Sequence, residues 1–140
     1  MRAVLDTTVL VAALRSPTGA SHSLLSAVLG RQLTPLVLVP LVLEYEAVLT
    51  RAEHLAASGI GAEEAVEIVK AFCRMGEPVH LAHRLRPQLL DPDDEFVLET
   101  AFHGKADVIV TFNLKDFSIA ARRFHMRAVS PQEALKRMRK

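Results

Sequence analysis

The sequence predicts an α/β fold in which helices cover both faces of a parallel sheet. Three observations carry that reading. Apolar runs of strand length alternate with helical segments along the whole chain. The strand candidates are continuous apolar runs, as expected of strands buried on both faces. The chain has 140 residues, half of them hydrophobic and 24% charged, a balance that excludes disorder. With no repeat, low-complexity segment or linker, residues 1–140 read as one domain.

Each element has its own local reason. Residues 2–6 (RAVLD) form a short apolar run that ends in an acid, a buried strand. Thr7 to Leu14 has helical spacing, and Ser16-Pro17-Thr18-Gly19 is a loop. Ser21 is expected to cap a helix that stops at Gly30. Leu36 to Val39 is a second strand, and Pro40 opens a helix from Leu41 to Ala57 that Gly59 and Gly61 break. Ala62 to Arg74 is helical, Gly76 ends it, and Glu77 to Leu81 is a candidate third strand. Asp91-Pro92 starts a helix that runs to His103 and stops at Gly104. Ala106 to Thr111 is the strongest strand in the chain, Phe117 to Phe124 a short helix, and Met126 to Val129 a candidate last strand. Ser130-Pro131-Gln132-Glu133 is a capping box that opens the terminal helix.

Several function classes are excluded early. No apolar run reaches the roughly 18 residues of a spanning helix, so no membrane partner is expected. The stretch before Asp6 is too short for a secretory signal, and a cytoplasmic protein is expected. The single cysteine, Cys73, allows no internal disulfide and reads as a core residue of an apolar helix. His80 and His83 form the one close histidine pair, without the further ligands of a zinc site. No GxGxxG or phosphate loop is present. The net charge of +1 hides an uneven layout: residues 41–100 carry −7 and residues 115–140 carry +6. That layout fits either a metal site beside a polyanion-binding rim or simply solvated helix faces.

Open parallel sheets place their sites at the carboxyl ends of the strands. Asp6 ends the first strand, where it reads equally as a helix cap or as a chemical group. Asn113 follows the strand that ends at Thr111, with Asp116 just beyond, both as loop positions on the same edge. Asp91, before Pro92, reads as an N-cap. Asp94 occupies a capping-box position, yet the helical wheel sets it on one stripe with Leu98 and Ala101, facing the core side at the site edge. Asp93, Glu95 and Glu99 fall off that stripe. A carboxylate placed like Asp94 needs a partner. On the preceding long helix, Glu44 and Glu46 flank the apolar stripe about equally, and either also reads as a solvated acid. Glu44 is the nearer to the helix start.

The segments VLDTTVLVAAL, PLVLEYEAVLTR, DPDDEFVLETAFHGKAD and VIVTFNLKDF occur in that order across residues 4–117. Together they resemble the PIN-domain nucleases, closest to the VapC-like toxin branch of toxin–antitoxin pairs. The resemblance implies a three-layer α/β/α sandwich with a central parallel sheet of four to five strands. It also implies a cluster of acids that holds Mg²⁺ or Mn²⁺ for hydrolysis of RNA. Carried over by motif, the catalytic acids are Asp6, Glu44 and Asp94. The position of the fourth acid is held by Asn113, and Asp116 is its nearest substitute. Asp6, Asp94 and Asp116 are then the expected metal ligands, with Thr7, Thr111 and Asn113 as supporting polar groups. Thr8 stands where the family often has asparagine.

Carboxylates suit this chemistry because hard divalent cations take oxygen ligands. The cation lowers the pKa of its water and neutralises developing charge. Clustered carboxylates repel one another without it, so a raised pKa is expected in the metal-free protein. Arg15 and Lys115 are the leading phosphate contacts; Lys105, Arg122, Arg123 and the tail cations Lys136, Arg137, Arg139 and Lys140 are further candidates. Few aromatics are present, so an extended base-stacking platform is not expected. The resemblance further implies a cognate antitoxin and a homodimer, with contacts expected on helices between Ser21 and Arg74. Two alternatives remain at this point. One is a catalytically degenerate domain that binds RNA or protein, suggested by Asn113. The other is a haloacid-dehalogenase-like phosphatase using Asp6 as nucleophile, although Thr8 stands where its second acid belongs.

Overall fold

The computed structural model describes residues 1–81 and 92–139. Its strands are β1 (Arg2–Leu5), β2 (Thr34–Val37), β3 (Glu77–Pro78), β4 (Val108–Val110) and β5 (Ala128–Val129). All pair in parallel, in the order β3-β2-β1-β4-β5. The helices among the described residues are α1 (Thr7–Arg15), α2 (Ala20–Leu29), α3 (Val39–Leu49), α4 (Ala52–Ser58), α5 (Ala62–Arg74), α6 (Pro92–Gly104), α7 (Leu114–Arg123) and α8 (Pro131–Met138). Right-handed crossovers from β1 through β2 to β3 lay α1 to α5 on one face. The return to β4 and β5 lays α6 and α7 on the other. Accordingly α1 packs on α2 and α3, α2 on α5 and α8, and α6 on β1, β2 and β4. The result is the predicted three-layer α/β/α sandwich, with five strands.

The topology already chooses an edge. The chain leaves β1 towards β2 and returns on the other side through β4. Leu5 pairs with Val110, so the carboxyl ends of β1 and β4 lie side by side. This is the switch point at which parallel sheets open a crevice. Beneath it the core is closed by Leu5, Leu36, Leu41, Tyr45, Phe72, Leu98, Ile109 and Phe117, all fully buried.

Several local expectations are corrected. The single helix expected from Leu41 to Ala57 is two, α3 and α4. The Thr50 hydroxyl donates to the Glu46 carbonyl at 2.7 Å, Arg51 is extended, and α4 turns to pack on α1. Neither Gly nor Pro marks that break. Ser21 is not a cap: α2 starts at Ala20 after Gly19, and Ser21 is buried within it. The helix expected from Phe117 begins at Leu114, with Asn113 at its N-cap, so Asp116 lies in a first helical turn and not in a loop. Glu95 and Glu99, placed off the buried stripe, are buried. The reason is that α6 touches three strands as well as α3 and α7, so its covered face is wider than one apolar stripe. The strands after Gly76, Lys105 and His125 are shorter than expected. The Ser130 cap is as expected, its hydroxyl accepting from the Glu133 amide at 3.2 Å. The expected cap Asp91, His83 of the histidine pair and the tail residue Lys140 lie outside the described residues.

The end of α6 is held from below. Arg2 donates to the carbonyls of Gly104 (2.7 Å) and Lys105 (2.9 Å) and bridges to Glu77 at 2.6 Å, joining β1, β3 and α6. At Gly104 the helix meets the sheet so closely that a Cβ would sit 2.7 Å from Leu36 Cδ1 and 2.8 Å from Val79 Cγ2. Leu36 is fully buried and has nowhere to move. Gly104→Ala is therefore expected to destabilise by about 1–2 kcal/mol through overpacking, despite alanine's better helix propensity. A urea titration checks it; an unchanged or higher midpoint would show that α6 can shift outward at no cost.

Candidate active site

The site grows out of the switch point. Asp6 follows β1 at the N-cap of α1, but its carboxylate makes no cap hydrogen bond. Its Oδ2 instead accepts from the Thr111 hydroxyl at 2.8 Å and the Thr8 hydroxyl at 3.2 Å. Thr111 follows β4, and its Oγ1 in turn accepts from the Asn113 amide at 2.9 Å. The Asn113 side chain donates from Nδ2 to Asp116 Oδ2 at 3.1 Å. A continuous hydrogen-bonded run thus links Asp6 through Thr111 and Asn113 to Asp116.

Asp6 is nearly inaccessible to water. Burial, the largest effect, pushes its carboxyl above the ordinary value. The Thr111 and Thr8 hydroxyls oppose this, as do the nearby amides of Thr7 and Thr8, which favour the charge without reaching cap geometry. A raised carboxyl was expected from mutual repulsion of acids; here the leading cause is desolvation.

On the other side, α3 contributes Glu44 and Tyr45. Glu44 Oε2 accepts from the Thr7 hydroxyl at 2.8 Å, one residue from Asp6. Glu46 points elsewhere: its charge acts on Cys73, whose thiol is pushed up first by burial and then by that carboxylate. Tyr45 is fully buried, and its hydroxyl donates to the Leu5 carbonyl, the residue before Asp6. Burial pushes the Tyr45 hydroxyl well up, and the charges of Asp6, Cys73 and Glu44 add to the effect. The phenol is therefore a permanent donor.

Asp94 lies in the first turn of α6, half-buried. That helix runs against the strands and touches β1 and α3, which puts its start at the same edge. Lys115 is exposed in the first turn of α7. Arg15 is exposed in the last turn of α1, about 12 Å along the axis from Thr7. His80 is exposed and Cys73 half-buried.

Among the described residues no three His, Cys, Asp or Glu side chains converge closely enough to hold a metal ion. In particular, Asp6, Asp94 and Asp116 are not gathered as one ligand set, and Asp116 is exposed with its carboxylate on Asn113. The donor chemistry nonetheless fits a hard cation: carboxylate oxygens flanked by hydroxyls, one of them buried at a cost that a positive charge would offset.

A family model for the PIN domain matches residues 2–115, from β1 to the first turn of α7. The chain belongs to the PIN-domain family. PIN domains are in general nucleases, hydrolases of phosphodiester bonds. The match spans every residue of the hydrogen-bonded run except Asp116, and membership sets aside the haloacid-dehalogenase-like alternative. Comparison with curated proteins and with solved structures gave no match. No helix among the described residues of this PIN-domain chain is long and apolar enough to cross a membrane.

Sequence reasoning missed two features of the site and one buried acid of α6. Thr8 counted as a departure from the family pattern, yet its hydroxyl holds Asp6. Tyr45 stood on an apolar stripe with no sign that its hydroxyl reaches β1. Glu99, one turn beyond Glu95, is buried in α6. The hydroxyl residues Thr7 beside Asp6 and Tyr45 beside Glu44 are the cue the sequence offered.

Proposed function

We propose that this PIN-domain chain is a divalent-metal-dependent endoribonuclease, the toxin of a VapC-like toxin–antitoxin pair. The observation that carries the reading is the run from Asp6 to Asp116 at the switch point, with Glu44 tied to Thr7 beside it. Asp6, Glu44 and Asp94 are the catalytic carboxylates, and Asp116 acts at the fourth position through Asn113. To hold Mg²⁺ or Mn²⁺, Asp94 and Asp116, which are not gathered with Asp6 in the metal-free protein, would have to close on the cation together with it. When bound, the cation supplies a water of lowered pKa and neutralises charge that develops on the phosphate. The chain's own contribution is orientation: Thr111 and Thr8 fix one oxygen of Asp6, and Thr7 fixes Glu44. Lys115 and Arg15 bind phosphates of the RNA strand.

A cytoplasmic setting and a protein partner belong to the same reading. Val39 and Leu43 lie one turn apart on α3 with 71% and 59% of their surface exposed. They are the surface on which we place antitoxin or dimer contacts. A second reading is a degenerate domain that binds RNA without cutting it. It is favoured by Asn113, an amide where the family's fourth acid stands.

The test is cleavage of a mixed RNA pool by purified protein in Mn²⁺, in Mg²⁺ and in EDTA, beside Asp6→Asn prepared identically. Cutting is expected in either metal, none in EDTA and none by the variant. RNA bound tightly but left intact in every metal would replace this reading by the second.

A further inference from the structure

Phe112 lies between Thr111 and Asn113, both members of the run, and exposes 56% of its surface. It forms one wall of a groove of about 440 Å³. The facing walls are Ala12 and Ser16 at the end of α1, Ser21 of α2, and Pro131 and Gln132 at the start of α8. The lining is mostly apolar, with hydroxyls and one amide, the pattern of a site that takes a flat ring and orients it by a few polar contacts. Two exposed cations flank the groove in the chain. Arg15 precedes Ser16, and Lys115 stands three residues after Phe112.

We propose that this groove is a nucleobase subsite for a single RNA strand, with the base stacked on Phe112. The proposal rests on the ribonuclease reading. A nucleobase has a π face for the ring and an edge of donors and acceptors for Ser16 and Gln132. Its phosphates then run between Arg15 and Lys115 towards Asp6, which accepts from Thr111 beside Phe112. Exposed cations this near in the chain to Ser16 and Phe112 favour a polyanion over an apolar side chain of a protein partner. Phe112 is a positioning residue: by seating one base it selects which phosphate reaches Asp6.

The test uses the full chain in Ca²⁺ and a single-stranded RNA with 2-aminopurine moved position by position. One position should be quenched on binding. Phe112→Ala should weaken binding about tenfold and remove the quench, while Phe112→Trp restores both. On an RNA made abasic at that position, Phe112→Ala should cost nothing further. Equal affinity of wild type and Phe112→Ala, or the same loss on abasic RNA, would overturn the subsite. Cleavage in Mn²⁺ separates the two readings. A chain that cuts RNA equally well with Phe112→Ala loses the subsite and keeps the nuclease. A Phe112-dependent quench without cutting keeps the subsite and loses the nuclease. No RNA binding by wild type removes both.

Discussion

Replacing Asp6 by asparagine is expected to lower metal-dependent RNA cleavage by on the order of 10³-fold while stabilising the metal-free protein. The two effects have one origin. The Asp6 carboxyl is buried and raised above its ordinary value, chiefly by desolvation. The folded protein keeps a proton there at pH values where the unfolded chain has released it. Stability from this group is therefore complete below the ordinary carboxylate range and is lost as pH rises through the raised value. Asparagine keeps an oxygen for Thr111 and carries no charge, so the variant escapes that loss. Thermal melts in EDTA should coincide near pH 3.5 and separate by pH 7, the variant higher by about 3 °C, on the order of 1 kcal/mol. Mn²⁺ should raise the wild-type melting temperature and leave the variant unmoved, since only a metal that binds the folded state adds stability. A variant less stable than wild type at pH 7 would mean that the Thr111 and Thr8 hydrogen bonds to the charged form outweigh its burial.

Tyr45→Ala is expected to cost about 3–5 kcal/mol, a fall in melting temperature of about 10 °C or more. The ring is fully buried and meets Phe72 edge-on, with centroids 5.6 Å apart at 90°. Its removal opens a cavity between α3, α5 and β1 that the fully buried Leu5 and Leu41 are too constrained to fill. Tyr45→Phe keeps the ring and deletes only the donor to the Leu5 carbonyl. It should cost about 1–2 kcal/mol. Because Leu5 precedes Asp6, the phenylalanine variant also asks whether backbone restraint matters for the acid. A fall in cleavage larger than its loss of folded protein would show that it does. Equal losses for both variants would place all of Tyr45's contribution in the hydroxyl and none in packing.

Much of the architecture is legible without coordinates. Continuous apolar runs determine buried parallel strands, and helical spacing with Gly and Pro punctuation determines helices such as α5 to the residue. Acids that end strand candidates point to one sheet edge before any pairing is known. These are local properties: they depend on which neighbours a residue has in the chain, and periodicity reads them directly.

What only the tertiary structure decided depends on contacts across the chain. Periodicity leaves Glu44 and Glu46 equivalent. The packing of α3 on α1 turns Glu44 to Thr7, and Glu46 acts on Cys73 in α5. The break at Thr50 follows from α4 finding α1, and no turn residue announces it. Glu95 and Glu99 are buried because α6 is covered from more than one side, whereas a helical wheel assumes a single buried face. The bonds from Thr111 and Tyr45 to the first strand span 105 and 40 residues. Strand order brings Thr111 to Asp6, and the packing of α3 brings Tyr45 to Leu5. Sequence determined the elements and the residue types at their ends; the order of β1 beside β4 decided which of those residues share a site, because proximity across a sheet is set by pairing and not by position along the chain.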